Sequence, residues 1–328
     1  VAIPVVVMGL GEIGQAIARA ALSTNDLELV GALDLSPARV GKPLAEVIDG
    51  AAPEVTVSNE PDDVYRKAKG GILLHSTGSR LEKVSSEIEG AIRAGLSVVS
   101  TCEELACPWV RHPKIADHIE RLAQKRGTTV LGTGVNPGFV LDRLVATLGQ
   151  AVGRVERVHG LRVVNATTRR EALQRKIGAG LSETDFNAGV ENGSIGHVGL
   201  MESAALAAMG VGHSVDEVDE EILPVVAEAP KEAKWGMIEK GRVCGVRQIA
   251  RAFDEGREVT RLELTIALGA EDPRDEISIF ANPPISMRIN GGTSGDAATA
   301  WSVVHAAALL GQSAEPGLIT VLDLPAGR

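Results

Sequence analysis

At 328 residues the chain is long enough for about two domains, each able to bury its own core. With 33 basic against 43 acidic residues the formal charge is −10, and no cluster of four or more Lys and Arg occurs, which argues against phosphate-driven nucleic-acid binding. Aromatics make up 2% of the chain, too few for a base-stacking platform, and no apolar run approaches the ~20 residues of a membrane span. Three cysteines, Cys102, Cys107 and Cys244, form no disulfide framework, and Cys102 and Cys107 lack a nearby His pair, so neither disulfides nor a metal site is expected and the location predicted is cytoplasmic.

Residues 1–8 are a continuous β-branched run without a basic flank, read as a buried strand rather than a signal peptide. Gly9-Leu10-Gly11-Glu12-Ile13-Gly14 follows, then a small-residue helix over 15–22 and a second apolar run over 27–33 that ends in Asp34, 20 residues beyond Gly14. A glycine fingerprint between strand and helix, with an acid at the tip of the next strand, is the context a dinucleotide requires. Gly9 permits the turn, Gly11 the approach of a pyrophosphate and Gly14 the close packing of the helix, whose first residues Glu12, Ile13 and Gly14 offer N–H groups to the anion. Asp34 would accept hydrogen bonds from ribose hydroxyls and favours NAD, whereas Ser36 and Arg39 could receive the 2′-phosphate of NADP.

The alternation continues with strands predicted over 71–75, 97–101 and 128–131 and helices over 81–94 and 113–126. Ligands bind outside the carboxyl ends of such strands, which selects the loops at Ser76-Thr77-Gly78, at Thr101–Trp109 and at 132–138 with Asn136 and Pro137. Glu103 and Glu104 leave a buried strand into apolar surroundings, where desolvation would raise a carboxyl pKa toward the range useful for proton transfer. A strand over 155–164 ends with Arg162 and Asn165, and a polar, helix-like segment with Arg169, Arg170, Arg175 and Lys176 follows it. His197 opens a helix over 200–209, and the acidic run 216–221 reads as a solvated helix start. Strands over 262–268 and 277–280 complete a second sheet. Gly291 to Asp296 precedes an apolar helix over 297–310, with Asp296 as its cap. The predicted fold is α/β: a Rossmann-type doubly wound parallel sheet over 1–138, completed by 291–328, and a second α+β domain of open mixed sheet over 139–290.

The segments GLGEIG, STCEELACPW, GTGVNPGF, RREALQRKIGAGL, GHVGL and GGTSGDAATA together resemble the 2,4-diaminopentanoate dehydrogenases and native amine dehydrogenases, distant relatives of dihydrodipicolinate reductase. That resemblance implies NAD- or NADP-dependent interconversion of a small amine with an aldehyde or ketone and ammonia, in a homodimer whose second domain binds substrate. It assigns the acid/base role to the EEL segment, at Glu104 with Glu103 as the alternative. Asn136 and Pro137 would lie by the nicotinamide, and Glu103, Trp109, Phe139, Arg162, Asn165 and His197 would line the pocket. The His-His pair and Lys with which the reductases hold a dicarboxylate are absent, which disfavours that substrate. A 2,4-diaminopentanoate dehydrogenase proper, an ammonia-independent carbonyl or imine reductase and a non-catalytic NAD(P) sensor remain as alternatives.

Overall fold

The computed structural model describes residues 2–313 and 315–325; Val1 of the first predicted strand and residues 326–328 of the completing segment lie outside them. In chain order the elements begin β1 (Ile3–Met8), α1 (Glu12–Leu22), β2 (Leu27–Leu33), α2 (Leu44–Ile48), β3 (Val57–Ser58), α3 (Pro61–Lys67), β4 (Ile72–His75), α4 (Leu81–Arg93), β5 (Ser97–Ser100), α5 (Pro113–Arg126) and β6 (Thr129–Gly132). They continue with α6 (Arg143–Gly149), β7 (Arg157–Asn165), α7 (Glu171–Lys176), α8 (Glu183–Glu191), α9 (Leu200–Gly210), β8 (Glu217–Val226), β9 (Lys231–Ala233) and β10 (Gly236–Ile238). Last come β11 (Val243–Asp254), β12 (Arg257–Ala267), β13 (Arg274–Phe280), β14 (Ile285–Asn290), α10 (Gly295–Ser313) and β15 (Gly317–Ile319). Two compact units result, one of residues 1–139 with 294–328 and one of residues 140–293.

The first unit holds a parallel seven-stranded sheet in the order β15-β6-β5-β4-β1-β2-β3. Its strands are short apolar runs because both faces are covered, and Val5, Val6, Val7, Leu73, Leu74, Val98, Val99, Val130 and Leu131 are fully buried. Leu81, Ile88 and Ile92 of α4 and Ala116, Ile119 and Ala123 of α5 join the core on one face. Each such Leu or Ile removed from water contributes about 1.5–3 kcal/mol. The strand order reverses direction between β1 and β4, and at that switch the connections leaving the two strands run to opposite sides of the sheet, which leaves room for a ligand.

The second unit is built on a mixed six-stranded sheet, β14-β13-β7-β12-β11-β8, in which only the β7–β12 pairing is parallel. The fold class predicted from sequence is the one observed. Helix α9, apolar almost all round, is buried over Leu200 and Ala204–Ala208, and Ala207 packs with Val145, Val158, Ile277 and Ile279.

One expectation is overturned here: the acidic run 216–221 opens strand β8, not a helix. Its charges alternate between the two faces of the sheet, as strand geometry requires. Asp219 and Glu221 reach Arg251 at 3.0 and 3.3 Å, while Glu220 turns to the other face and accepts from the Gln248 amide. Asp296, expected as a cap, lies inside the first turn of α10.

The face that carries Asp219 continues across the sheet as a ladder of paired charges, with Glu263 held by Arg247 at 2.6 Å and Arg261 at 3.1 Å. Partial burial pushes the Glu263 carboxyl up, but the hydrogen bonds from the two arginines outweigh it and hold the group at about 2, against an ordinary 4.5. Because the folded value is depressed, this stabilisation is complete above about pH 4.5 and is lost as pH falls toward 2. Chemical denaturation at pH 6 and pH 3 should show the wild type's advantage over Glu263→Gln shrinking at the lower pH; an unchanged advantage would contradict the assignment.

Candidate functional site

The loops that leave β1, β2, β4, β5 and β6 at their carboxyl ends carry the predicted cofactor residues of the first unit. Gly9 adopts a left-handed φ of +86°, and a Cβ there would lie 2.7 Å from the Ser76 carbonyl oxygen. A Cβ on Gly14 would run into the Gly9 carbonyl, so the first turn of α1 can pack against the strand end only as glycine. Gly11, by contrast, is the N-cap of α1, has no capping side chain, and its Cβ would meet no atom within 4 Å. That combination of a tight turn, open space and a helix start whose N-cap carries no side chain fits a pyrophosphate. Gly14→Ala is therefore expected to raise the cofactor dissociation constant at least tenfold, measurable by quenching of protein fluorescence on titration with NADH.

Asp34 closes the same turn from the tip of β2. It accepts from Leu10 N–H at 2.7 Å and from Ser36 N–H at 2.7 Å, and pairs with Arg39 at 3.2 Å. Ser36 uses its hydroxyl to accept from Ala38 N–H. Arg39 thus sits on the carboxylate that would receive ribose hydroxyls.

Ser76 ties β4 to the glycine turn: its N–H donates to Met8 O at 2.9 Å and its hydroxyl to Gly9 O at 2.9 Å. Gly78 follows in the same loop, where a Cβ would approach Val84. The Thr101 N–H donates to His75 O and the Thr133 N–H to Ser100 O, so the loops after β4, β5 and β6 leave the sheet stitched together. Asn136 is buried beside a cis bond to Pro137, the neighbouring Val135 N–H donates to the Thr299 hydroxyl of α10, and Phe139 is partly exposed.

The two acids after β5 separate sharply. Glu103–Leu105 form a single turn of 3-10 helix, whose three residues per turn aim neighbouring side chains about 120° apart. Glu104 is 2% exposed, and both of its oxygens are engaged: Oε1 by Arg80 Nη1 at 2.9 Å, Oε2 by the Leu81 N–H at 2.7 Å and by His112 Nε2 at 2.9 Å. The Leu81 N–H belongs to the first turn of α4, so Glu104 caps that helix from another part of the chain.

The expected rise in pKa is corrected at this residue. Burial does push the Glu104 carboxyl up, but Arg80, the Leu81 N–H and His112 outweigh it and hold the group below the usual carboxylate range. Glu103 is only half-buried. It lies between Cys102, whose Sγ is 3.3 Å from Ser79 O, and Glu104, whose N–H donates to that same carbonyl. The Glu103 turn is thereby pinned to the loop that carries Ser76 and Thr77. Trp109, in the next 3-10 turn, is partly exposed.

In the second unit two expected pocket residues are engaged otherwise. Arg162, 5% exposed, places Nη1 2.9 Å from both oxygens of the buried Asp275 and donates through Nη2 to Thr293 O at 2.7 Å. Asn165 donates to Ala270 O and accepts from the Thr167 N–H, which shapes the loops beyond β7 and β12. His197 is fixed through its backbone, since the buried Gln248 amide accepts its N–H at 2.9 Å and donates to its carbonyl at 2.7 Å. The basic segment after β7 forms α7, where Arg175 pairs with Glu171 and covers the Trp235 ring at 4.2 Å. Among the described residues no group of three or more His, Cys, Asp or Glu is arranged to hold a metal ion.

The sequence reading passed over His75, Glu87, Arg80, His112 and Asp275, all of which structure these loops. The one local signal was polarity out of place, a His closing the otherwise apolar strand Ile72–His75 and an Asp inside the strand Arg274–Phe280.

The family model described as the 2,4-diaminopentanoate dehydrogenase C-terminal domain matches residues 139–328. The chain is 28% identical to 2,4-diaminopentanoate dehydrogenase of Acetoanaerobium sticklandii, over 99% of its own length and 94% of that protein. Its fold resembles that of amine dehydrogenase from Mycobacterium smegmatis, with a TM-score of 0.86 and 23% identity over 98% of this chain and 96% of that one. It resembles more distantly biliverdin reductase from Synechocystis in complex with biliverdin and NADP+, with a TM-score of 0.53 and 14% identity over 88% and 79% of the two chains.

Proposed function

Because the chain belongs to the 2,4-diaminopentanoate dehydrogenase C-terminal domain family, we infer that it is a nicotinamide-dependent oxidoreductase acting on CH–NH2 donors. The reaction is the reversible conversion of a small alkylammonium ion, water and oxidised cofactor into a carbonyl compound, ammonium, reduced cofactor and a proton. The observation that carries this reading is the pairing of a glycine turn clamped by Asp34 with a half-buried acid, Glu103, pinned to the Ser76–Ser79 loop.

The residues that would hold the cofactor are Gly9, Gly11, Glu12, Ile13 and Gly14 at the pyrophosphate and Asp34 at the adenosine ribose. Ser76, Thr77, Gly78, Thr101, Asn136 and Pro137 would flank its nicotinamide half. When bound, the nicotinamide accepts hydride from the amine-bearing carbon or returns it. Asp34 favours NAD: its carboxylate would repel a 2′-phosphate, and it already neutralises Arg39 at 3.2 Å.

Glu103 carries the acid/base role in place of Glu104, whose two oxygens are engaged in capping α4 and binding Arg80 and His112. As carboxylate it removes a proton from the substrate ammonium and exposes the amine lone pair. Having released that proton to solvent, in the hydrolytic half it takes a proton from the water that adds to the C=N bond and then protonates the departing nitrogen. In reductive amination the same carboxyl gives up its proton as water leaves. Trp109 and Phe139, both partly exposed, supply apolar surface for the substrate. Arg162 pairs with Asp275, which favours amines that lack a carboxylate. His197, held by Gln248, is the polar candidate in the second unit.

All three cysteines are buried and none forms a disulfide, which supports a reducing, cytoplasmic setting, and the homodimer is part of the same proposal. Among the described residues no helix is long and apolar enough to cross a membrane.

The test is a panel of aldehydes and ketones with NADH or NADPH, with and without ammonium, followed at the absorbance of the reduced nicotinamide. Loss of absorbance only with ammonium is the expected result. Oxidation without ammonium would identify a carbonyl or imine reductase, and cofactor binding with no turnover of any amine or carbonyl would identify a sensor. Light scattering after gel filtration reads the oligomeric state.

A further inference from the structure

The most completely buried titratable side chain near the glycine turn is one the mechanism does not use. His75 closes β4, is 0% exposed, and touches groups from two other elements. Its Nδ1 is 2.7 Å from the Ser100 hydroxyl at the end of β5. Its Nε2 is 2.9 Å from Glu87 Oε2 on α4 and 2.7 Å from the Thr77 hydroxyl.

The direction of each hydrogen bond follows from what the partners can donate. Ser100 Oγ accepts from the Cys102 N–H at 3.0 Å, so its own proton is available for His75 Nδ1. The Thr77 hydroxyl donates to Glu87 Oε2, and the remaining donor that carboxylate meets is the Nε2–H of His75. The imidazole is therefore the Nε2–H tautomer, inferred from the network rather than from hydrogen positions. A continuous chain runs from the Cys102 N–H through Ser100, His75 and Glu87 to Thr77. Cys102 immediately precedes Glu103, and Thr77 lies in the loop that Ser76 fastens to Gly9.

We propose that His75 is a positioning residue that sets the acid-bearing turn after β5 and the cofactor loop after β4 in one register, through its Nδ1 and Nε2 respectively. The inference rests on the functional reading above for the roles of Glu103 and Thr77, but the bridge itself is a matter of geometry. The Arg80–Glu104 ion pair and the Ser79 carbonyl contacts join the same loops at the far end of the 76–80 segment; His75 joins them at its start, where the chain leaves β4. The two arms are chemically separable. Gln places an amide near the Nε2 position and can keep the bond to Glu87, whereas Asn places one near Nδ1 and can keep the bond to Ser100.

The test measures two quantities independently: the NADH dissociation constant by fluorescence titration, without turnover, and kcat for reductive amination at saturating cofactor. His75→Gln is expected to hold the dissociation constant within about threefold and lower kcat at least tenfold; His75→Asn is expected to do the reverse. Since a buried site can fail to fold, the same split is read from the outer partners. Ser100→Ala should lower kcat alone, and Glu87→Leu should weaken cofactor binding alone. Equal losses of both quantities in Ser100→Ala and Glu87→Leu, in step with a fall in Tm, would mean a merely structural network and overturn the proposal, as would wild-type values in both. If the wild-type protein turns over no amine, the functional reading fails while the cofactor titrations of Glu87→Leu against Ser100→Ala still decide the Nε2 arm.

Discussion

Glu103→Gln is expected to lower kcat by about 10²–10⁴, the usual contribution of a positioned acid/base, with the NADH dissociation constant unchanged. Gln is nearly isosteric and keeps an acceptor, so it removes the exchangeable proton and the charge with little change in packing. Glu104→Gln is expected to give the complementary result. There the carboxylate satisfies Arg80, the Leu81 N–H and His112 at once, and an amide can answer only some of those donors. Leaving buried donors unmet costs about 1–3 kcal/mol, read as a lower midpoint in urea, while activity per folded molecule stays within a few-fold of wild type. The two variants must be measured together, because an activity loss in Glu104→Gln alone could come from α4 losing its cap. A Glu103→Gln enzyme that keeps more than about a tenth of wild-type kcat would remove Glu103 from the mechanism, since acid/base contributions are rarely that small.

The pH dependence of Glu104 separates the two acids further. Its carboxyl is held below the ordinary range in the folded chain, so its contribution to stability is present at neutral pH and is lost as pH falls through its lowered value. A group with that behaviour stays ionised through the neutral range. A carboxyl held that firmly is ill suited to take up and give back a proton there, which argues against Glu104 as the acid/base.

What the sequence made legible was local. The β1–Gly9–α1 unit is specified within 22 residues by a β-branched run, three glycines and a small-residue helix, and the structure reproduces it together with Asp34 at the tip of β2. The acids at 103 and 104 could not be told apart, because what distinguishes them comes from elsewhere: Arg80 lies 24 residues away and His112 approaches from the start of α5. Arg162 looked like a free cation at a strand end because its partner, Asp275, is 113 residues distant and meets it only through the antiparallel β7–β13 register. The run at 216–221 was misread because charge density has no period of its own. Its alternation becomes visible only once β11 supplies Arg251 on one face and Gln248 on the other.

Asp275→Asn is expected to destabilise the chain by roughly 3–5 kcal/mol, a large share of the 5–15 kcal/mol typical of a folded domain. Asp275 is 1% exposed, accepts Arg162 Nη1 at 2.9 Å through both oxygens and receives the Thr293 N–H at 2.7 Å. Burial first, and then the nearby Arg169 charge, pull the Arg162 guanidinium below its usual value, and the adjacent Asp275 works against that pull. With Asn in place, the cation stays buried with no counter-charge, which is the costly half of breaking such a pair. Arg162→Met with Asp275→Leu should recover part of the loss, since no net charge is then buried, yet not all of it, because the carbonyl and N–H of Thr293 both lose their partners. Urea midpoints of the two single variants and the double variant give the coupling directly. The same set tests whether Arg162 anchors substrate: a substrate anchor would raise KM for carboxylated amines with stability intact, whereas the pairing with Asp275 requires stability to fall first and KM for simple amines to hold in whatever fraction remains folded.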